Sequence, residues 1–257
     1  MTRKIKYVSA FIALIALLAL NITKASAQRT KKVLIVVTSF SEMKNGTKMG
    51  LWLEEFATPY YQLKENGIEV TIASPAGGKG PIDPKSMLPD YLTPSAKKFL
   101  GDATAQAALN NTVKLSAVKA KNYDAVFYPG GHGPMWDLPE NAQSIALIQS
   151  FVAQHKPVAF VCHAPAVLKN VKTKEGAYLV SGKTVTGYSN KEEVDGKSTD
   201  VTPFLLEDML KERGGKYEKA ATPWAPFAVQ DGLLITGQNP ASAEPTVQKL
   251  LAALSAK

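Results

Sequence analysis

Apolar stretches alternate with amphipathic stretches along most of the chain, and this alternation predicts a succession of strands and helices. Strands are predicted over residues 31–39, 67–75, 123–128, 156–161, 182–189 and 232–237. Helices are predicted over residues 47–57, 95–109, 141–154, 201–213 and 242–255. Short runs that are apolar throughout are typical of strands buried on both faces of a parallel sheet. The pattern predicts an α/β fold, with a doubly wound, mostly parallel sheet and helices on both faces.

The first 27 residues have the pattern of a cleavable signal peptide. Basic residues at positions 3, 4 and 6 precede an uncharged apolar stretch over 7–20, and Ala25-Ser26-Ala27 is a small-residue cleavage site. This order predicts cleavage after Ala27 and a secreted or periplasmic protein with no stable membrane association afterwards. An uncleaved anchor is the weaker alternative, because the apolar stretch is short for a membrane span.

The rest of the chain, residues 28–257, is predicted to form a single domain. Its length suits one α/β core. Residues 76–94 are rich in Gly, Pro and Asp, which favours a long loop. We therefore expect a lid or insertion around residues 76–120, near the site.

Composition and charge narrow the functional classes. The formal net charge of +8 falls to +4 once the signal peptide, with its four basic residues, is removed. No basic run is interleaved with aromatic residues, so nucleic acid is not an expected partner. The chain has one cysteine and three histidines, which excludes a cysteine-based structural zinc site, and no metal or cofactor is expected. A lone thiol in an exported protein is either reactive or an intermolecular link.

Cys162 follows the apolar run 156–161 and precedes Ala164-Pro165, which predicts the first turn of a helix. The cysteine is thus expected on a strand-to-helix turn, the geometry of a nucleophile elbow. Unpaired N–H groups and the positive end of the helix would favour the thiolate there. The alternative is a buried cysteine that only fills space.

Two further features accompany this turn. Gly130, Gly131 and His132 follow a predicted strand, and their backbone N–H groups could form a cradle for an oxyanion or substrate. The same glycines could simply permit a tight turn, and no nucleotide-binding fingerprint is present. Glu55 lies on the apolar face of the first predicted helix, where a carboxyl needs a partner or a raised pKa. Local capping or pairing of Glu55 is the alternative.

Four motifs in this order resemble the ThiJ/PfpI superfamily, and within it the glutathione-independent glyoxalase III and stress-chaperone group. They are residues 53–59, 128–133, 159–165 and 236–242. The resemblance implies a flavodoxin-like fold, similar to class I glutamine amidotransferase domains, and a homodimer. It also implies that Cys162 is the nucleophile, that His163 is its neighbour and that Glu55 is the buried acid beside the thiol. The N–H groups of Gly131 and His163 would form the oxyanion site. Many relatives are cytosolic, whereas this chain carries an export signal.

The resemblance implies a small reactive aldehyde as substrate. Methylglyoxal would be converted to lactate without a cofactor, by a lyase of the D-lactate dehydratase type in stress protection, and removal of glyoxal adducts from protein amines is a variant. Alternatives are a non-catalytic stress chaperone, a thiol redox sensor, or a cysteine hydrolase or peptidase. Glutamine hydrolysis is disfavoured because no histidine follows His163 in the chain.

Overall fold

The structure is a computed structural model that describes residues 29–256, so the expected signal peptide lies outside the described residues. The residues from Lys31 onward form one compact unit. The strands are β1 (Lys32–Val36), β2 (Glu69–Ser74), β3 (Val113–Lys114), β4 (Ala125–Tyr128), β5 (Val158–Val161), β6 (Thr184–Val185), β7 (Lys216–Tyr217), β8 (Ala228–Asp231) and β9 (Leu234–Gly237). The α-helices are α1 (Leu53–Glu65), α2 (Pro94–Gly101), α3 (Ala103–Asn110), α4 (Pro134–Asp137), α5 (Ala142–Ala153), α6 (Asn190–Asp195), α7 (Leu206–Glu212) and α8 (Ala243–Ser255).

Seven strands form the main sheet in the order β3-β2-β1-β4-β5-β9-β8, while β6 and β7 pair separately. Neighbours in the main sheet are parallel except β8 and β9. In the centre, Phe127 lies opposite Ala159, and Val161 lies opposite Gly237. Strands β4 and β5 are completely buried, as their continuous apolar sequences predict. The predicted α/β fold with a mostly parallel sheet is confirmed.

The helices lie on both faces because the connections run in opposite directions from the centre. Helix α1 joins β1 to β2, whereas α5 joins β4 to β5 on the other side of the β1–β4 pair. Right-handed crossovers therefore place α1 and α5 on opposite faces. Helix α8 packs against α1 and against β5 and β9. The strand order reverses between β1 and β4, where α/β sheets characteristically form a binding crevice at the carboxyl ends of the strands.

The first helix begins later than its sequence pattern predicts, at Leu53 instead of residue 47. Upstream of it, the backbone is bonded to other loops. The Leu51 N–H donates to Pro81 O at 2.9 Å, and Leu51 O accepts from the Asp83 N–H at 2.9 Å. Gly50 O accepts from the Gly133 N–H at 3.1 Å, which ties this segment to the glycine loop. These bonds use groups that a longer helix would need for itself.

The region 76–120 is built from several short elements. Two 3₁₀ turns, Pro84–Met87 and Pro89–Tyr91, precede α2 and α3, and β3 extends the sheet beside β2. Helix α2 packs on α1. Residues between 85 and 93 line the cavity described below. The part of this region that borders the site is therefore the pair of 3₁₀ turns.

Several elements differ from the sequence pattern. Helix α7 starts at Leu206 instead of 201, because Pro203 disfavours helical backbone in the residue before it. The turn after Cys162 is a 3₁₀ helix, Ala164–Asn170, and not the start of an α-helix. Helix α6 and strands β7 and β8 are short and rich in polar residues, so no hydrophobic periodicity marked them. Among residues 29–256 no helix is long and apolar enough to cross a membrane.

Candidate active site

Cys162 lies immediately after β5 in a left-handed backbone conformation, with φ of 61°. Few residues other than glycine adopt this conformation, and it persists only where the surroundings impose it. Two backbone hydrogen bonds do so here. The Cys162 N–H donates to Gly237 O at 2.9 Å, and Cys162 O accepts from the Tyr188 N–H at 3.0 Å. The nucleophile position is therefore held by β9 and by the segment that follows β6.

Glu55, on the first turn of α1, is completely buried beside this thiol. Its Oε2 accepts a hydrogen bond of 2.8 Å from the Gly130 N–H, while Oε1 has no hydrogen-bond partner within the described residues. Burial raises the pKa of the Glu55 carboxyl well above its ordinary value, although the neighbouring Cys162 side chain and the Gly130 N–H oppose the shift. The raised pKa favours the protonated form of Glu55, which can act as an acid towards a group bound at the sulfur.

The sequence-based expectation of a thiolate stabilised by a helix terminus is not supported. Burial raises the pKa of the Cys162 thiol well above its ordinary value, and a Glu55 carboxylate would raise it further. The Gly131 N–H, which contacts the sulfur, opposes this shift. The following segment is a 3₁₀ helix of seven residues, which provides little of the dipole that the prediction assumed. The resting thiol therefore needs a base to take its proton.

His163 is placed to be that base. Its Nδ1 lies 3.3 Å from Cys162 Sγ, and its Nε2 lies 2.8 Å from Glu193 Oε1. Burial lowers the pKa of His163, so the resting ring is neutral. Glu193 is buried too, but His163, His132 and Ser198 hold its pKa well below the ordinary value, so it is ionised. A carboxylate that orients a histidine beside a thiol is the arrangement that activates cysteine nucleophiles.

Glu193 is the member of this group that the sequence analysis missed. It lies thirty residues after His163, within the short helix α6, where charged residues dominate. The sequence feature that could have indicated α6 is a capping box formed by Ser189 and Glu192. It fixes the start of this helix and hence the direction of Glu193. The Ser198 hydroxyl donates to Glu193 Oε2 and completes its environment.

The backbone N–H groups of Gly130 and Gly131 in the glycine loop have different partners. The Gly130 N–H is already bonded to Glu55, so it is not available to an oxyanion, whereas the Gly131 N–H faces the sulfur. Gly131 has φ of 87°, and a Cβ there would lie 2.5 Å from Gly50 O and Trp52 N. No larger residue fits at this position without moving the loop. The structure thus brings Cys162, Glu55 and Gly131 together.

His132 lies on the other side of His163, with the two ring centroids 4.3 Å apart. Its Nε2 is 3.8 Å from Glu193 Oε2, which is too long for a hydrogen bond. The ligand atoms of His132, His163 and Glu193 all lie within 4.8 Å of one another, so these residues could hold a metal ion. His132 therefore borders the histidine–carboxylate pair, and the structure brings it together with the other residues singled out from the sequence.

A cavity of about 630 Å³ adjoins this group of residues and is lined by Gly131, His132, Cys162 and His163. Cys162, His132 and His163 form part of its wall beside the aromatic rings of Trp52, Tyr91, Tyr188 and Trp224. The cavity volume lies within the range of pockets that enclose ligands of drug size. The 3₁₀ turns before α2 supply Lys85 and residues 90–93 to the wall, and the end of α6 supplies residues 195–198. The buried thiol is therefore accessible from a pocket and is not sealed in the hydrophobic core.

Comparison with known proteins gives a consistent result. Residues 48–253 match the DJ-1/PfpI family. Glyoxalase 3 of Candida albicans is 32% identical over 232 residues, which cover 86% of this chain and 98% of that protein. The glutathione-independent glyoxalase HSP31 of Saccharomyces cerevisiae is 30% identical over 233 residues, which cover 87% and 98% respectively. The range matched to the family, residues 48–253, spans every residue of the site.

Solved structures agree in fold. Rapid Encystment Protein 24 kDa of Francisella tularensis superposes with a TM-score of 0.83 at 39% identity, covering 88% of this chain and 99% of that chain. The crystal structure of glyoxalase III from Candida albicans superposes with a TM-score of 0.81 at 29% identity, covering 87% and 97%. Both alignments include nearly all of the described residues.

Proposed function

The chain belongs to the DJ-1/PfpI family, and from that premise we propose that it is a cofactor-independent cysteine enzyme acting on small reactive carbonyls. Relatives of about 30% identity over most of their length are named glyoxalase 3 and glutathione-independent glyoxalase. The observation that carries the proposal is the position of Cys162 Sγ, which adjoins both the buried Glu55 carboxyl and the ring of His163. The substrate we propose is methylglyoxal, and the product is lactate.

In the proposed reaction, His163 Nδ1 takes the proton of the Cys162 thiol as the sulfur attacks the aldehyde carbon. The imidazolium that forms is stabilised by the Glu193 carboxylate. The oxygen of the attacked aldehyde receives the proton of Glu55, and the Gly131 N–H contributes to holding the developing negative charge. The result is a hemithioacetal on Cys162, with Glu55 now ionised.

The second stage moves a hydrogen between the two adjacent carbons. Glu55, now a base, removes the proton from the carbon that bears the sulfur, which gives an enediolate. It then returns this proton to the neighbouring carbon, while the proton of the hydroxyl group beside the sulfur passes to the oxygen of the former ketone, so that the sulfur is held in a thioester of lactate. Water then adds its hydroxyl group to the thioester carbon, the His163 imidazolium returns its proton to the departing sulfur, and the remaining proton restores the Glu55 carboxyl as lactate leaves. Each proton transfer by a positioned group contributes about a hundredfold or more to the rate.

The test is lactate formation from methylglyoxal by freshly reduced protein. We expect turnover with the wild-type chain and none above background with Cys162→Ala. Glu55→Gln should lower kcat by about a hundredfold or more, because the amide cannot exchange the proton. Glu65→Gln is the matched control: it lies on the same helix but pairs with Lys98 at the surface, and it should retain wild-type turnover. Equal inactivity of the wild type and both site variants would reject the proposal.

Thioester and amide hydrolysis is a second candidate, and the Glu193–His163–Cys162 arrangement favours it specifically. A hydrolase needs a base for the thiol and an acid to orient that base, and both requirements are met. The Glu55→Gln variant distinguishes the two candidate activities. It should lower the rate of aldehyde conversion far more than the rate of hydrolysis of an activated thioester.

Two finer statements complete the proposal. We propose that the chain is exported after cleavage behind Ala27, because residues 1–27 carry the pattern of a signal peptide. We also propose that it forms a homodimer, as the family resemblance implies. Light scattering on the purified protein tests the dimer, since a mass equal to a single chain at micromolar concentration would contradict it.

A further inference from the structure

Beside the thiol, three groups that could donate electron pairs to a metal ion face one another. His163 Nε2 lies 2.8 Å from Glu193 Oε1, and His132 Nε2 lies 3.8 Å from Glu193 Oε2. The ligand atoms of the three residues all fall within 4.8 Å of one another. They come from the loop after β4, the turn after β5 and helix α6, so the fold itself brings them together.

The nitrogen His132 Nε2 is the feature that the proposed reaction does not explain. The atom is buried, yet it has no hydrogen-bond partner within the described residues. A buried polar atom without a partner is costly, and native proteins rarely leave one. Its 3.8 Å separation from Glu193 Oε2 exceeds a hydrogen bond. Two ligands of one tetrahedral zinc ion, each at ~2.0–2.1 Å from it, lie about 3.4 Å apart. A small closing movement would therefore place both atoms on one ion.

The chemistry of the three groups also suits a metal. Two imidazoles and one carboxylate form a donor set found in zinc enzymes. Cys162 Sγ lies at Nδ1, on the other edge of the His163 ring, so the sulfur is not part of this set.

We propose that His132 Nε2, His163 Nε2 and the Glu193 carboxylate form a binding site for a divalent transition-metal ion such as Zn²⁺, and that binding there switches off Cys162. The ion takes the Nε2 lone pair of His163, so the ring proton moves to Nδ1. Nδ1 then faces the sulfur as a donor and can no longer accept the thiol proton. His132 and His163 both line the cavity, so water or a substrate oxygen could reach an ion held there.

The choice of ion follows from the ligands. Imidazole with one carboxylate favours zinc, nickel or copper over magnesium and calcium, which need sites made of oxygen. The metal site itself rests on the geometry of the three residues. The switching off of Cys162 rests on the role of His163 in the reaction proposed above.

Equilibrium dialysis of the folded protein against Zn²⁺ tests the site directly. We expect one tightly bound ion per chain, and more than tenfold weaker binding in His132→Asn and Glu193→Gln. Two control variants should bind as the wild type does. Cys162→Ser removes the sulfur and leaves a hydroxyl group beside His163 Nδ1, away from the proposed ligand atom Nε2. His155→Asn removes an exposed histidine that is not one of the three ligands.

The outcomes decide the proposal without reference to turnover. Loss of zinc in Cys162→Ser would assign the ion to the thiol and overturn the site, and so would wild-type affinity in His132→Asn or no binding by the wild type. If Glu193→Gln does not fold, His132→Asn decides alone, because that residue lies at the cavity wall. Where the wild type is active, Zn²⁺ should abolish its activity and a chelator should restore it. A protein that binds zinc but converts no aldehyde would reject the proposed reaction and keep the site.

Discussion

The proton of the Cys162 thiol is controlled by two separate groups, the Glu55 carboxyl and the His163–Glu193 pair. Burial raises the pKa of Glu55 and favours its protonated form, whereas hydroxyl and imidazole groups lower the pKa of Glu193 and favour its ionised form. The pKa values of two carboxyls, one beside the sulfur and one across the His163 ring from it, are thus shifted in opposite directions. This difference assigns one as an acid and the other as the group that orients the base. At the scale of single residues, environment decides the role of each carboxyl.

Asp137 shows the same effect outside the reaction centre. Burial raises the pKa of its carboxyl to about 6, although the Thr38 hydroxyl and the Ser39 N–H donate to it at 2.8 and 2.7 Å. An acid with a higher pKa in the folded than in the unfolded chain holds its proton more tightly when folded, so the stability it contributes is lost as pH rises from about 4 to 6. Asp137→Asn removes this loss. Relative to wild type, the variant's free energy of unfolding should therefore rise by up to about 3 kcal/mol between pH 4 and pH 7.

Urea denaturation of both proteins at several pH values measures this difference. Asp231→Asn serves as a control of opposite sign. The Thr184 N–H and then Lys183 lower the pKa of Asp231, so its contribution to stability is gained as pH rises. The stability of Asp231→Asn relative to wild type should therefore fall with pH. A difference between Asp137→Asn and wild type that does not change with pH would contradict the prediction.

At the scale of elements, Glu192 joins the start of α6 to the loops around the cavity. The residue is fully buried, and its Oε1 accepts hydrogen bonds from Trp224 N, Gln238 Nε2 and Asn239 Nδ2. Its Oε2 accepts from the backbone and hydroxyl of Ser189. One carboxylate therefore joins α6 to the loop that contains Trp224 and to the segment after β9. It also fixes the direction of its neighbour Glu193.

Glu192→Gln should lower the free energy of unfolding by about 1–3 kcal/mol, because the amide keeps the shape but turns an N–H₂ group towards donors. Chemical denaturation measures the loss. Glu212→Gln is the control, since that carboxyl is exposed on α7 and should change stability by less than about 0.5 kcal/mol. Equal stability of the two variants would show that the buried bonds contribute little.

The glycine loop provides a second prediction for an element. Gly131→Ala and Gly67→Ala both place a side chain at positive φ, 87° and 71° respectively, at a cost of about 1 kcal/mol each. A Cβ at position 67 meets nothing within 4 Å, whereas at position 131 it would overlap the backbone at 2.5 Å. Gly131→Ala should therefore displace the loop and lower kcat by about a hundredfold. Gly67→Ala should keep full activity with slightly lower stability, as thermal melting and an aldehyde assay would show. Full activity in both variants would rule out a close approach at Gly131.

For the whole molecule, the sequence predicted what depends on local pattern and missed what depends on distant pairing. The buried strands were predicted from apolar runs, and the turn at Cys162 from the Ala164-Pro165 pair that follows the last of these runs. Glu55 was identified because it lies on the apolar face of the first predicted helix. The late start of α1 depends on bonds to residues 81–83 and 133, which no local pattern encodes. Glu193 was missed for the same reason, because only folding brings α6 beside His163. The thiol pKa was mispredicted because burial outweighs the field of a short 3₁₀ helix.

The export proposal concerns the whole chain and has a direct test. Expression of the full sequence in a bacterial host should give a periplasmic or secreted protein whose first residue is Gln28. Mass spectrometry of the purified protein identifies that terminus. Ala27→Arg should block processing, because the cleavage site requires a small residue. A full-length chain in the cytosol of cells that express the wild type would contradict the proposal.

The left-handed backbone at position 162 has one further consequence. A side chain in that conformation costs about 1–2 kcal/mol, which a glycine would avoid. The fold tolerates the cost because bonds from Gly237 and Tyr188 hold the position on both sides. Replacing Cys162 by glycine would therefore raise the stability of the fold while removing the sulfur. Selection for thermal stability alone would favour a stable protein without a reactive thiol.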